Sequence, residues 1–293
     1  MLKFFKTWTL PISMLAGAIG TPFLIFAQLL LTFCKISVRE LMPSPWHGWL
    51  LLIQAVSSLV LAALLLWLPM REEYRDVFEG AMVCLICPTA TAAAVITGKL
   101  GGSASSLTTY TLLSNLLAAI VVPLVFPLVE PHAEITFFAA FLKILGKVFP
   151  LLLFPFFLAL FLRRFIPPIH RFLAGLRDMA FYLWAVALAI VTGQTVKSLV
   201  NSEAEIYVEI LIALGGLITC IAQFYWGKRI GKKYNDRISA GQALGQKNTV
   251  LAIWMSYTYL NPLSSVGPGS YVLWQNIFNS YQLWKKRNKE LEN

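Results

Sequence analysis

No Asp, Glu, Lys or Arg occurs between Glu40 and Arg71, and the interval contains the run WLLLIQAVSSLVLAALLLWLP. A helix of about 20 apolar residues crosses the hydrocarbon core of a bilayer. Further runs of this kind recur along the whole chain, leaving no stretch for a separate soluble domain. Hydrophobic residues make up 58% of the 293 positions and charged residues 13%, about half the charged share of a soluble domain. An all-α integral membrane protein with one membrane domain over residues 1–293 is the expectation, because a lipid-exposed backbone must pair its own polar groups.

The apolar pattern gives ten spans at about 7–20, 22–36, 46–69, 78–97, 103–129, 135–163, 178–198, 205–227, 237–260 and 266–285. The opening MLKFFKTWTLPISMLAGAIGTPF is read as the first span and not as a signal peptide, since apolar chain continues beyond it. With both termini inside, 18 of the 24 Lys and Arg residues fall on the cytoplasmic side, and only Arg71, Arg75 and Lys197 lie outside. This is the positive-inside bias, and it places the chain in the cell's inner membrane with cytoplasmic termini. The net charge of +10 is therefore topology and lipid headgroup contact, not a nucleic-acid footprint. Glu72, Glu73, Asp76 and Glu79 read as a solvated outer face. The four cysteines lie in apolar segments, and the single CLIC pair has no partners to complete a zinc site, so no metal centre is expected.

With five spans per half, the fourth and the ninth are interrupted by small and polar residues, CPTATAAAVITGKLGG at 87–102 and AGQALGQKNTVLAIW at 240–254. Matching broken helices in two halves point to an inverted-repeat transporter with its site at the midplane. The halves are about 1–130 and 135–285. The alternative is that Pro88 merely kinks a helix and Gly245 merely permits close packing. Lys247 stands at the second interruption, although a lysine near mid-bilayer costs about 2.5–3.5 kcal/mol.

The run from Cys87 to Val129 resembles the fourth and fifth helices of the bile acid:sodium symporter family, and GQKNTVLAIWMSY with VGPGSYVLWQNIFNS resembles its ninth and tenth. Gln54 stands where a third-helix glutamine is expected, and Lys147 at a sixth-helix lysine. The resemblance implies a panel domain and a core domain, and a carrier of small organic anions such as bile acids, pantothenate-like acids or keto acids. It also implies two sodium sites, from which this chain departs. The Ser-Asn positions of one site read Ala93 and Ala94, a later hydroxyl position reads Leu107 with Thr111 after it, and the shared glutamate falls on Ala243. At the second site the crossover glutamine is Lys247, and only Gln54 is retained. Sodium needs several close oxygens, and methyl groups supply none.

Three readings of Lys247 are open: a fixed substitute for sodium, a proton carrier in a medium where an ammonium is costly to keep charged, or a lysine that reaches for water. Gln246, Asn248 and Thr249 accompany it at the crossover, and Thr89, Thr91 and Thr97 are candidates at the opposing one, with Thr111 beyond them. Lys147 and Asn276 are further candidates for substrate contact. The three histidines are isolated and no nucleophile or metal motif is present, so an enzyme is not expected. The function expected is alternating-access transport of an organic anion, with sodium coupling lost or weakened and no cofactor. An ordinary sodium-coupled symporter and a non-transporting receptor are the alternatives, and nothing in the sequence bears on oligomeric state.

Overall fold

The computed structural model describes residues 20–35, 41, 43–90, 92–131, 136–176, 179–200 and 204–291. The expected first span, 7–20, lies almost wholly outside them. Among the described residues the secondary structure is helical throughout, with one isolated antiparallel pair and no strand.

Local chemistry sets most helix boundaries. α1 (Thr21–Cys34) has proline in its first turn. α2 (Pro45–Trp67) begins after Ser44, whose backbone N–H donates to Nδ1 of His47 at 2.9 Å in a capping box. It ends before Pro69, where the preceding Leu68 is extended. α3 (Glu72–Ile86) and α4 (Ala93–Leu100) replace the expected fourth span with two pieces, and α4 ends at Gly101, whose φ of 87° needs glycine. α5 (Ala104–Val129) and α6 (Phe137–Phe165) start at Ser103 and Thr136, whose hydroxyl oxygens accept first-turn N–H groups.

A short helix not expected from the sequence, α7 (Pro167–Gly175), separates α6 from α8 (Met179–Val200). α9 (Ile206–Lys233) turns tightly through Asn235 into α10 (Arg237–Gly245). α11 (Thr249–Tyr259), a 3₁₀ turn (Pro262–Ser265) and α12 (Val266–Leu291) complete the fold. The expected ninth span is thus also split, at 246–248. α2, α5, α6 and α9 are long and apolar enough to cross a membrane. On α6 the lipid face is legible, with Phe154, Phe157 and Phe161 exposed at helical spacing opposite buried Val148, Leu152 and Ala159.

α3 begins six residues before the expected span, and two of its four acidic residues, Asp76 and Glu79, do not form a solvated face. Glu79 is completely buried and Asp76 nearly so. Arg75 pairs with Glu79 at 3.3 Å one turn away, and its guanidinium also reaches the carbonyls of Leu65 and Val129. A buried carboxylate needs such a partner.

Helix contacts divide the described residues into two groups. In the first, α1 packs on α6, α7 and α8. In the second, α9 packs on α3, α10 and α12, while α2 and α5 close around α3, α4 and α10. The groups meet where α5 runs into α6 and where α8 lies against α11, α12 and the 3₁₀ turn.

Candidate functional site

Pro88 has no N–H and holds Cys87 extended, so α3 must stop at Ile86. A helix that stops inside a membrane leaves its last four carbonyls without intrahelical donors. The Val83 carbonyl keeps the last backbone bond, from the Cys87 N–H at 2.9 Å, and the four beyond it are each met by a side chain. The Cys84 carbonyl accepts from Nε2 of Gln223 at 3.2 Å, the Leu85 carbonyl from Nζ of Lys247 at 3.1 Å, and the Ile86 and Cys87 carbonyls from Nε2 of Gln54 at 2.7 and 3.3 Å. Three side chains from three other segments therefore cap this half-helix.

α10 ends opposite it in a related way. The Ala243 carbonyl accepts from Oγ1 of Thr89 at 2.6 Å, and the Gly245 carbonyl from the Tyr271 hydroxyl at 2.7 Å. The two breaks then cross. Thr89 and Lys247 form the antiparallel pair, the Asn248 N–H donates to the Pro88 carbonyl at 2.9 Å, and the Ala90 N–H donates to the Gln246 carbonyl at 2.9 Å. Oδ1 of Asn248 caps α11, and Oε1 of Gln275 accepts the Lys247 N–H at 2.9 Å. Thr89→Val keeps the shape but strands the Ala243 carbonyl, so a loss of about 1–2 kcal/mol is expected in equilibrium unfolding from detergent; an unchanged stability would show that Thr89 is dispensable to the crossing.

Lys247 is 1% exposed. Its ammonium sits at the negative end of the α3 dipole, with the thiols of Cys84 and Cys87 nearby, and no carboxylate pairs with it among the described residues. No cluster of His, Cys, Asp or Glu among the described residues could hold a metal ion.

A cavity of about 850 Å³ lies beside the crossing, between α1 and α8 on one side and α4, α12 and the crossover on the other. Lys35, Lys99 and Lys247 line it, and no Asp or Glu is among its described lining residues. Five of the nine site residues expected from the sequence line this space: Gln246, Lys247, Asn248, Thr249 and Asn276. Gln54 lies outside the cavity lining, as a buried hub whose Oε1 accepts from Tyr110 at 2.9 Å and Ser114 at 3.1 Å. Thr111 donates to the Leu107 carbonyl of its own helix at 3.0 Å. Lys147 is exposed on α6, away from the cavity, and Thr91 lies outside the described residues.

The sequence reading passed over Gln28, Gln223, Tyr271 and Gln275. The signal was the one that singled out Gln54, an amide inside an apolar run that must find a partner.

Crossed half-helices with capped ends, set beside a cavity that three lysines line, in a chain of membrane-length apolar helices, define a multi-pass secondary transporter. The chain belongs to the SBF-like CPA transporter family, which it matches over residues 21–284. That family is of the bile acid:sodium symporter type, as the residues around both breaks indicated. No curated relative matches the chain.

Proposed function

We propose that this chain is a single ten-helix membrane domain of two inverted five-helix repeats that carries a small organic anion across the inner membrane by alternating access, with both termini cytoplasmic and with sodium coupling lost or weakened. The panel is the α1, α6, α7 and α8 group and the core is the remainder, moving against each other around the crossing. The observation that carries the sodium reading is Nζ of Lys247 on the Leu85 carbonyl at 3.1 Å. An ammonium occupies the carbonyl end of the broken helix, where a coupling cation would be solvated. At the positions where the resemblance implies further sodium ligands, Ala93, Ala94 and Ala243 carry only methyl groups, and the Ala243 carbonyl is already engaged by Thr89. The residues present do not fit a sodium ion, and the fixed charge of Lys247 stands in its place. The same charge, with Lys35 and Lys99, favours an anion in the cavity.

The test is a sodium titration of the melting temperature of the purified protein, balanced with choline at constant ionic strength, alongside Lys247→Gln. A site filled to 100 times its Kd adds about 2.7 kcal/mol. The expected result is no sodium response in the wild type and a saturable one in the glutamine variant. A saturable, sodium-specific rise in the wild type overturns the reading and restores an ordinary symporter.

A further inference from the structure

α7 (Pro167–Gly175) contributes no residue to the crossing or to the described lining of the cavity. Its nine residues rise about 14 Å, less than half the hydrocarbon thickness of a bilayer, so it cannot cross one. Leu173 and Ala174 pack on the main core cluster, and the helix rests on α1 and α6. Its other side is uncovered, and there Phe165, Ile169 and Phe172 follow at intervals of four and three residues, 67%, 47% and 67% exposed. Basic groups sit among them. Arg163 and Arg164 in the last turn of α6 and Arg171 on α7 are exposed, and the Arg164 guanidinium lies 5.9 Å from the centre of the Phe165 ring. Burial first, then the charge of Arg163, holds the His170 pKa below its ordinary value, which sets Arg163 beside α7. No Asp or Glu occurs between Glu134 and Asp178, and none of the three arginines pairs with a carboxylate among the described residues.

Water would leave the apolar side chains exposed, and the acyl region of a bilayer would leave the arginines without counter-charge. Both are satisfied together at the headgroup level, where hydrocarbon and phosphate meet. We propose that α7 lies in the plane of the membrane, on the side where α6 ends, and binds an acidic phospholipid. Phe165, Ile169 and Phe172 lie against its acyl chains, and Arg163, Arg164 and Arg171 take its phosphate. A lipid bound there ties the group of α1, α6, α7 and α8 to one leaflet.

The test reads the melting temperature of the purified full-length protein in neutral detergent against added phosphatidylglycerol, phosphatidylcholine or glycerol 3-phosphate. A saturable rise is expected with phosphatidylglycerol alone. Arg163→Gln, Arg164→Gln and Arg171→Gln should each raise its half-saturating concentration about fivefold, the share of one arginine at an acidic membrane surface. A second measurement places the helix in a bilayer of phosphatidylcholine and phosphatidylglycerol, by a nitroxide label on Phe172→Cys and, as a control, on Glu290→Cys at the exposed end of α12. The four native cysteines are buried and leave the label to the new one. The label at 172 should be shielded from a water-soluble nickel complex that reaches the label at 290, and this reading stands even if an arginine variant fails to fold. Equal rises with the two lipids, no rise with either, or a phosphatidylglycerol rise that the three exchanges leave unchanged, overturns the acidic-lipid site. An equal rise with glycerol 3-phosphate overturns it in favour of a free anion, and a label at 172 as open to nickel as that at 290 overturns the in-plane placement.

Discussion

Gln54→Leu is expected to lower stability by about 3–5 kcal/mol, more than any other exchange considered at the crossing. The side chain is 1% exposed, and leucine nearly matches its volume, so packing is kept and the polar loss is isolated. Its amide nitrogen serves the Ile86 carbonyl at 2.7 Å and the Cys87 carbonyl at 3.3 Å, and its oxygen serves the Tyr110 and Ser114 hydroxyls. Each stranded buried group costs about 1–3 kcal/mol. Ser114 counts for less, because its oxygen also accepts the Thr89 N–H at 3.3 Å. Equilibrium unfolding of the detergent-solubilised protein measures the loss. A change below about 1 kcal/mol would mean that water reaches the end of α3 and takes over the amide's bonds.

Gly227→Ala is expected to cost about 3 kcal/mol, at the upper end of overpacking effects. A Cβ at Gly227 would lie 2.5 Å from the Ala240 carbonyl oxygen and 3.1 Å from its carbon, and backbone cannot swing aside as a side chain can. α10 would have to move off α9, taking with it the break that holds Lys247. The same helix supplies the control. A Cβ at Gly215 meets Val77 Cγ1 at 3.5 Å, an ordinary contact, so Gly215→Ala should stabilise by a few tenths to about 1 kcal/mol through helix propensity. Equal effects from the two exchanges in the same unfolding assay would rule out a close α9–α10 approach at Gly227.

The two breaks were legible because their causes are local. Pro88 lacks a donor, and the Gly245-Gln246 pair with Lys247 and Asn248 interrupts an apolar run, whatever the rest of the chain does. Lys247 and Gln54 stood out for the same reason, as polar groups in runs where water cannot serve them. What each one bonds was not legible. Gln54 and Lys247 serve neighbouring carbonyls from positions 193 residues apart, 54 and 247, a convergence that depends on how α2, α3 and the crossover rotate against one another.

Asp76 and Glu79 show the same limit from the other side. Their composition suggests an exposed loop, but α3 extends through them and turns Glu79 inward onto Arg75. Lys147 is the converse, placed by resemblance near the core but turned outward by the face α6 buries.

The sequence by itself determined a helical membrane protein, its charge bias, its two broken helices and its family, since each follows from composition, backbone chemistry or motif. The tertiary structure alone decided that a lysine caps the carbonyl end of α3, that three side chains share that task, and that Lys35, Lys99 and Lys247 line one cavity. Helix rotation and crossing are set by close packing such as that of Gly227 on Ala240, and that packing chooses which of many possible donors reaches each freed carbonyl.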